Sequence, residues 1–470
     1  MSDFSNMLEQ HILQTGLSEI QLAQVTGFSR SYIARLKNGQ RISPDTERMT
    51  KLFDALNLTA EEYTELWELY LEERLGKEQY GLTKKMLDFL SSFREVSRLK
   101  AVVRMEYSEP EVCLVEGSAD LKYLIRAMME QEAARPSGHL RLFLQPECQE
   151  VMDALKNGFK INSKFAAEHI VCLEKEKKTD NIRLLQKMIP VILSQKQADY
   201  RVYYYYDRVA AHLNSFSLMP YFIITEDCVL NLDYELEHGL IYREPEVRDF
   251  FVRRFDQMAD GCRPLYERLT QEKELMAYYL QAKEANHFYC IGSQPCLGYL
   301  EAAEGIGRYL KGEMGRVAEA LKNRIKRDRE RMLRQECRVV SYFTAEGIRR
   351  LMEEGVLEEL PDEMMKDALE PEDRQAALQE LIERAEDGFY EPHLIQEKKY
   401  RYPGGVMIDA YSFDDVVLYY YAEDMKGCFM MQESSLARLF YEFLEGLRDS
   451  VFVCSVEETL QYLKEQLKKN

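Results

Sequence analysis

Ser18–Asn38, SEIQLAQVTGFSRSYIARLKN, is the stretch whose reading decides the first domain. Its apolar and small residues recur at the offsets that two short helices crossing at a tight turn require. Ser18 stands where it caps the first helix, and Gln21 completes a capping box. Leu22 faces the core, and Ala23 is small where the helices press closest. Gly27 supplies the left-handed residue that ends the first helix and turns the chain. Ser29 caps the second helix, while Phe28, Ile33 and Leu36 return to the core. An ordinary αα-hairpin shows the same spacing, so the flanking sequence has to decide between them.

Upstream, Phe4 to Leu13 reads as an amphipathic helix with Phe4, Met7, Leu8 and His11/Ile12 on one face. Downstream, Asn38-Gly39 closes the second helix. Ser43-Pro44-Asp45 predicts a further N-cap at Ser43, with proline at the first helical position and an acid in the first turn. The helix it opens, Pro44 to Leu56, should bury Met49, Leu52, Phe53 and Leu56. With these flanks the chain resembles the Cro and phage-repressor (XRE) family of DNA-binding domains, in LAQVTGFSRSYIARLKNGQRISP followed by LFDALNL.

The resemblance implies an all-α helix-turn-helix domain over residues 1–58 whose partner is double-stranded DNA. It sets the second hairpin helix in the major groove, with Arg30, Ser31 and Arg35 as base readers, since an arginine bonds both guanine acceptors at once. Tyr32 would pack on a thymine methyl or a sugar. Lys37, Asn38, Gln40 and Arg41 fall where the family touches phosphates, contacts that set register without reading sequence. Glu19 departs from the family's usual glutamine, and a carboxylate there repels the DNA backbone.

Charge agrees with a local DNA-binding face. The chain of 470 residues carries 62 Lys+Arg against 81 Asp+Glu, a net charge of −19. A uniformly basic nucleic-acid coat is excluded. Residues 1–58 hold six basic and six acidic residues, so the excess acid lies beyond them. Between Arg30 and Arg41 there are four basic residues and no acid. Acidic bulk around a small cationic patch disfavours indiscriminate coating of DNA.

At 46% hydrophobic content the chain can bury more than one core. It lacks a long apolar run, and MSDFSNMLEQ has no signal-peptide character, so a cytoplasmic protein without membrane contact is expected. The ten cysteines form no CxxC pair, Cys290 and Cys296 being the only close couple, and the seven histidines show no metal-ligand spacing. No metal or cofactor is implied.

Thr59-Ala60-Glu61-Glu62 predicts a second capping box opening a helix to about Leu75, with Tyr63, Leu66, Trp67 and Tyr70 on one side. Leu82 to Leu99 reads as another helix. Residues 59–99 are thus expected to form a helical connector, and one that could contact a second copy. The body should be mixed α/β, a lobe over 100–275 and another over 276–470. Strands at Lys100–Tyr107, Leu140–Leu144, His169–Leu173 and Tyr200–Tyr206 alternate with helices at Ala119–Gln131, Cys148–Asn157 and Asn181–Leu193. No phosphate-cradling glycine motif follows a strand, and Gly305-x-Gly307 lacks the context of one.

The lobes read as relatives of each other. Pro220–Asp233, PYFIITEDCVLNLD, is strand, acidic turn, strand, and is followed by a helix at Val247–Met258. Val416–Met431, VVLYYYAEDMKGCFMM, repeats that order before a helix at Ser435–Leu447. The connecting lengths disagree, with 23 residues from Asp227 to Phe250 and 16 from Asp424 to Phe440.

Pro220–Leu265 also resembles the closing segment of a phospholipase D lobe, in which a strand bearing His-x-Lys-x4-Asp runs into a turn and a terminal helix. Counting back from Asp227, Phe222 stands at the lysine position and Pro220 at the histidine position. The resemblance then implies a lobe unable to form a phosphoenzyme and left with a sensing role. Among the 30 tyrosines, Tyr203–Tyr206 and Tyr419–Tyr421 lie in strand-like runs. Alternate tyrosines there should face opposite sides, one set packed and the other either packed too or lining a groove.

The leading expectation is a non-enzymatic, sequence-specific transcription regulator of the repressor kind. It would act as a homodimer, with the body or connector supplying the contact because the head has little spare apolar surface. The body would sense a small-molecule or protein effector. An enzyme with an appended DNA-binding head, and an antitoxin-like or scaffold protein binding its own promoter, are the alternatives.

Overall fold

The computed structural model describes residues 2–93, 112–175, 178–194, 199–208, 218–269, 287–297, 307–309, 330–331, 334, 338–358, 367–410, 416–422 and 425–469. The expected strand at Lys100–Tyr107, the end of the helix expected to Leu99, Gly305 and Asp424 fall outside them. The chain divides into two compact units, Met1–Leu87 and Asp88–Asn470. The first is all-α and the second mixed α/β with two sheets.

The first unit contains α1 (Asp3–Thr15), α2 (Glu19–Thr26), α3 (Arg30–Lys37), α4 (Thr46–Ala55) and α5 (Ala60–Leu75); α6 (Lys77–Ser92) begins in it and runs on into the second unit. The Ser18/Gln21 and Thr59/Glu62 capping boxes both form. Gly27 takes a φ of 72°, the left-handed value the sharp turn requires. The cap of α4 is Asp45, whose side chain accepts the Arg48 N–H, and not Ser43. Ser43 is buried, where its hydroxyl accepts the Asp45 N–H and its carbonyl accepts the Tyr70 hydroxyl at 2.7 Å. Pro44 accordingly precedes the cap instead of opening the helix. The later helix starts at Lys77, earlier than expected, because the break falls at Gly76 with φ 83° while Gly81 lies inside α6. Phe4, Phe53, Tyr63, Trp67 and Tyr70 form one aromatic cluster, so α5 shares a core with α1 and α4.

The second unit opens with β1 (Val112–Glu116), α7 (Ser118–Ala133), β2 (His139–Phe143), α8 (Gln149–Ile161), β3 (Ala166–Leu173), α9 (Lys178–Ser194) and β4 (Asp199–Tyr206). β2, β3 and β4 are parallel neighbours, as alternating strand and helix patterns require. Antiparallel β5 (Tyr221–Ile224), β6 (Val229–Leu232) and β7 (His238–Tyr242) extend the other side of β2, and α10 (Pro245–Asp260) and β8 (Arg263–Pro264) follow. Tyr203 and Tyr205 pack against the cluster under α10, while Tyr204 is buried and Tyr206 donates to Glu433. Both sides of this tyrosine run are therefore used in packing.

The second sheet contains β9 (Glu267–Leu269), β10 (His287–Ile291), β11 (Arg338–Phe343), β12 (Tyr390–Leu394), β13 (Val406–Ala410), β14 (Val416–Ala422) and β15 (Met425–Met431). Its helices are α11 (Ala345–Glu354), α12 (Pro371–Glu386), α13 (Ser434–Leu447) and α14 (Val456–Lys469). The sheet orders are β1-β7-β6-β5-β2-β3-β4-β8 and β12-β11-β10-β13-β14-β15-β9. Read from the other edge, the second repeats the first strand for strand and direction for direction. The correspondence reaches the last element, since Val453 bridges antiparallel to Ile395, just past β12, where β8 pairs with β4.

The lobes are thus topological repeats, but the sequence alignment above is one strand out of step. Pro220–Asp233 is β5 and β6, whose counterparts are β13 and β14, whereas Val416–Met431 is β14 and β15. In the corrected register two residues separate β7 from α10 and two separate β15 from α13, which removes the length mismatch. Gln145-Pro146 after β2 and Gln294-Pro295 after β10 are a matching pair of the same kind.

The lobes meet where α9 packs on α13 and β15. Buried Glu433 accepts the Ser435 and Leu436 N–H groups at the start of α13 and the Tyr206 hydroxyl from the first lobe, and Asn181 donates to the Ser435 hydroxyl at 3.1 Å. Within the first lobe, His169 is fully buried between the Leu144 carbonyl and the Tyr200 hydroxyl, at 2.9 and 2.8 Å, and burial lowers its pKa from 6.5 to about 4. The folded site then holds fewer protons than the unfolded chain between these values. Stability is fully present above pH 6.5 and falls as pH drops toward 4, by roughly 3 kcal/mol in all. Thermal unfolding followed across this window should show that slope, and His169→Asn should flatten it. An unchanged slope in the variant would assign the effect elsewhere.

Candidate nucleic-acid interface

α3 is short and owes its place to its neighbours. Ile33 and Leu36 are fully buried, which turns the opposite face outward. Ser29 caps the helix by accepting the Tyr32 N–H at 3.2 Å. Arg30, Ser31 and Arg35 are exposed along the outward face. After Asn38, Gly39 takes a φ of 66° with Ser5 so close that a Cβ would lie 2.9 Å from its hydroxyl oxygen. This approach holds the exit loop against α1 and leaves Asn38, Gln40 and Arg41 exposed. The structure thus brings seven of the eight expected residues together as polar groups on one surface, with Lys37 half-buried among them.

Tyr32 is the different one. Its half-buried ring stacks on Phe28 with centroids 4.7 Å apart and planes 9° apart, and the Arg41 guanidinium lies 5.0 Å from its centroid. Arg48 sits 5.7 Å from the Phe28 centroid. Cation–π contacts therefore hold Arg41 in place. Arg48, on α4, joins the same stack, and no spacing rule in the sequence would have found it.

Glu19 has a role that the spacing could not show. Its carboxylate lies 3.4 Å from Arg30 Nε and 3.5 Å from Lys37 Nζ, and Glu9 is 3.7 Å from the same lysine. Two of the four cations in the acid-free run are therefore paired within the domain. Such exposed pairs contribute little to stability. They matter because a phosphate must compete with them. Glu19→Gln should raise affinity for all DNA sequences alike by roughly threefold to tenfold, while Lys37→Ala should lower it for all alike. Anisotropy titrations on matched and scrambled duplexes would check this, and a gain confined to one sequence would contradict it. The head also exposes Leu13, Ile20 and Val25, each more than half accessible, so it has more spare apolar surface than its sequence suggested.

The body's one motif resolves into structural contacts. Phe222 is buried on β5 under Phe251, with ring centroids 5.2 Å apart. Asp227 is paired with Arg135, which also reaches Glu226 at 2.9 Å and Glu132 at 3.2 Å. In the second lobe the strand register puts Val406 and Ile408 where Pro220 and Phe222 stand. Among the described residues no His, Cys, Asp and Glu group could hold a metal ion, and no helix is long and apolar enough to cross a membrane.

No curated protein matches the chain. Two solved structures resemble it at 12% identity. TrmBL2, an archaeal chromatin protein described as showing a novel mode of DNA binding, matches over 56% of this chain and 94% of its own with a TM-score of 0.24. Polyphosphate kinase from Porphyromonas gingivalis matches over 76% of this chain and 56% of its own with a TM-score of 0.22. Residues 8–63 match the helix-turn-helix family, which with the geometry of α2 and α3 makes the N-terminal unit a DNA-binding helix-turn-helix module.

Proposed function

We propose that the protein is a sequence-specific transcription regulator of the Cro and phage-repressor type, in which α3 reads the major groove and the α/β body controls binding instead of performing chemistry. The observation that carries the reading is the outward face of α3. Arg30, Ser31 and Arg35 stand exposed on a helix whose other side is locked in the core, and the surrounding loop offers Lys37, Asn38, Gln40 and Arg41 to phosphates. Arg30 and Arg35 would bond guanines. Tyr32 serves mainly to position Arg41.

The non-enzymatic part rests on chemistry. If the body is a phospholipase D-like lobe pair, the places of its nucleophile and cation hold Pro220, Phe222, Val406 and Ile408. None of these side chains can attack phosphorus or stabilise a leaving group. A single head contacts few base pairs, so the working form would be a homodimer reading half-sites about 34 Å apart.

Selection of bound duplexes from a random pool by the full-length protein, followed by footprinting and light scattering, tests this. The expected result is a palindromic site protected on two half-sites by a dimer. Salt-sensitive binding with no sequence preference, or phosphodiesterase turnover lost on neutralising a body carboxylate, would overturn it.

A further inference from the structure

The seam between the lobes contains a small, partly open cavity walled by aliphatic and aromatic side chains, among them Tyr266, whose hydroxyl donates to the Tyr200 carbonyl. α9 lays Leu185, Ile189 and Ile192 on one side, Leu418 of β14 and Phe429 of β15 lie on the other, and Phe93 closes one wall. The space left measures about 10 Å³ for the centre of a water-sized sphere, room for one such molecule. An apolar void of this size has no hydrogen-bond partners to offer water, and its lining loses dispersion contacts. Opening the core at this point therefore forfeits fewer contacts than opening a fully packed seam would. The wall helix is weakened as well, because Pro190 within α9 has no N–H to give the Gln186 carbonyl.

Phe93 gives the cavity its interest. It follows directly on α6, the continuous helix that starts in the DNA-binding unit and ends in the body. Phe89 and Phe93, one helical turn apart, meet edge to face at 5.3 Å, and Phe89 in turn meets Phe440 of α13 at 5.4 Å. Two phenyl rings thus anchor the end of α6 in the body, and one of them lines the void.

We propose that this cavity is an effector site for an uncharged, single-ring aromatic or similarly small apolar molecule, which binds between α9 and the β14–β15 sheet by displacing the Phe93 ring. Void and vacated ring together accommodate such a ligand. A charged or strongly polar ligand would be buried without partners, which the site cannot offset. Binding frees one of the two anchors that hold the body end of α6, a helix whose first turns belong to the DNA-binding unit. By linkage, DNA and ligand then change each other's affinity by the same factor. The coupling rests on the regulator reading above, whereas occupancy of the cavity does not.

Benzene is the probe. Full-length protein labelled at isoleucine and leucine methyls should show saturable shifts at Ile189, Ile192 and Leu418, and benzene at saturation should change affinity for the selected duplex at least fivefold. Leu418→Phe and, independently, Ile192→Phe fill the void and should abolish both effects. Phe93→Leu should bind benzene more tightly and lose the DNA response. Absence of methyl shifts at saturation would show a packing defect only and overturn the proposal. Shifts without any change in DNA affinity would overturn the coupling. A protein that binds no duplex at all yet shows the shifts would overturn the regulator reading and leave a ligand site in the body.

Discussion

Replacing both Arg30 and Arg35 with alanine is expected to lower affinity for the selected duplex by about a hundredfold or more, and to bring it close to affinity for unrelated DNA. Each bidentate arginine–guanine contact discriminates by about 1–3 kcal/mol, and the two act at different base pairs, so the losses should nearly add. Both side chains are exposed and neither belongs to the core, so the fold should survive. Arg30 also releases Glu19 when removed, which leaves one acid pairing only with Lys37 and weakens phosphate contacts slightly. The measurement is competition binding on duplexes changed one base pair at a time. The single variants should each relax preference at one position. A double variant that keeps full sequence preference, with unchanged circular dichroism, would move the reading surface elsewhere.

The second large effect is on stability. Phe53 is fully buried at the centre of the head, 4.8 Å from Trp67 and 6.1 to 6.3 Å from Phe4, Tyr63 and Tyr70. Truncation of a buried phenyl ring costs about 3–5 kcal/mol, from lost transfer energy and the cavity that remains. That is a large part of what a small helical domain has. Phe53→Ala should unfold the N-terminal unit at lower denaturant while unfolding of the α/β body stays in place, and DNA binding should disappear with the first transition. Tyr70→Phe, which removes only the hydroxyl bonded to Ser43, should cost about 1 kcal/mol. A single transition shifted as a whole would show instead that the two units unfold together.

The head was legible because its signals are local. A cap, a left-handed glycine and an apolar face every three or four residues each act within a turn of helix. At Ser43 local signals were ambiguous, since Ser-Pro-Asp satisfies two capping registers. The choice fell to Tyr70, 27 residues away, whose hydroxyl holds the Ser43 carbonyl. The body's strands were legible one by one, but not their order. Which strand neighbours which depends on partners far apart in sequence, and the hairpin alignment failed by one strand for that reason. Glu244 and Glu433 precede equivalent helices, yet only Glu433 makes side-chain cap bonds, and it also accepts Tyr206 from the other lobe.

By itself the sequence determined a helix-turn-helix head with an acid-free basic run along α3 and the loop that follows it, and an α/β body of two lobes. Helix periodicity and capping are short-range, so one chain is enough to read them. Only the tertiary structure decided that Glu19 engages Arg30 and Lys37, that Tyr32 stacks on Phe28 beneath Arg41, that the lobes repeat one strand order, and that Phe93 closes a void at their seam. Each of these is a contact between residues whose meeting no local pattern encodes, and packing alone brings such residues together.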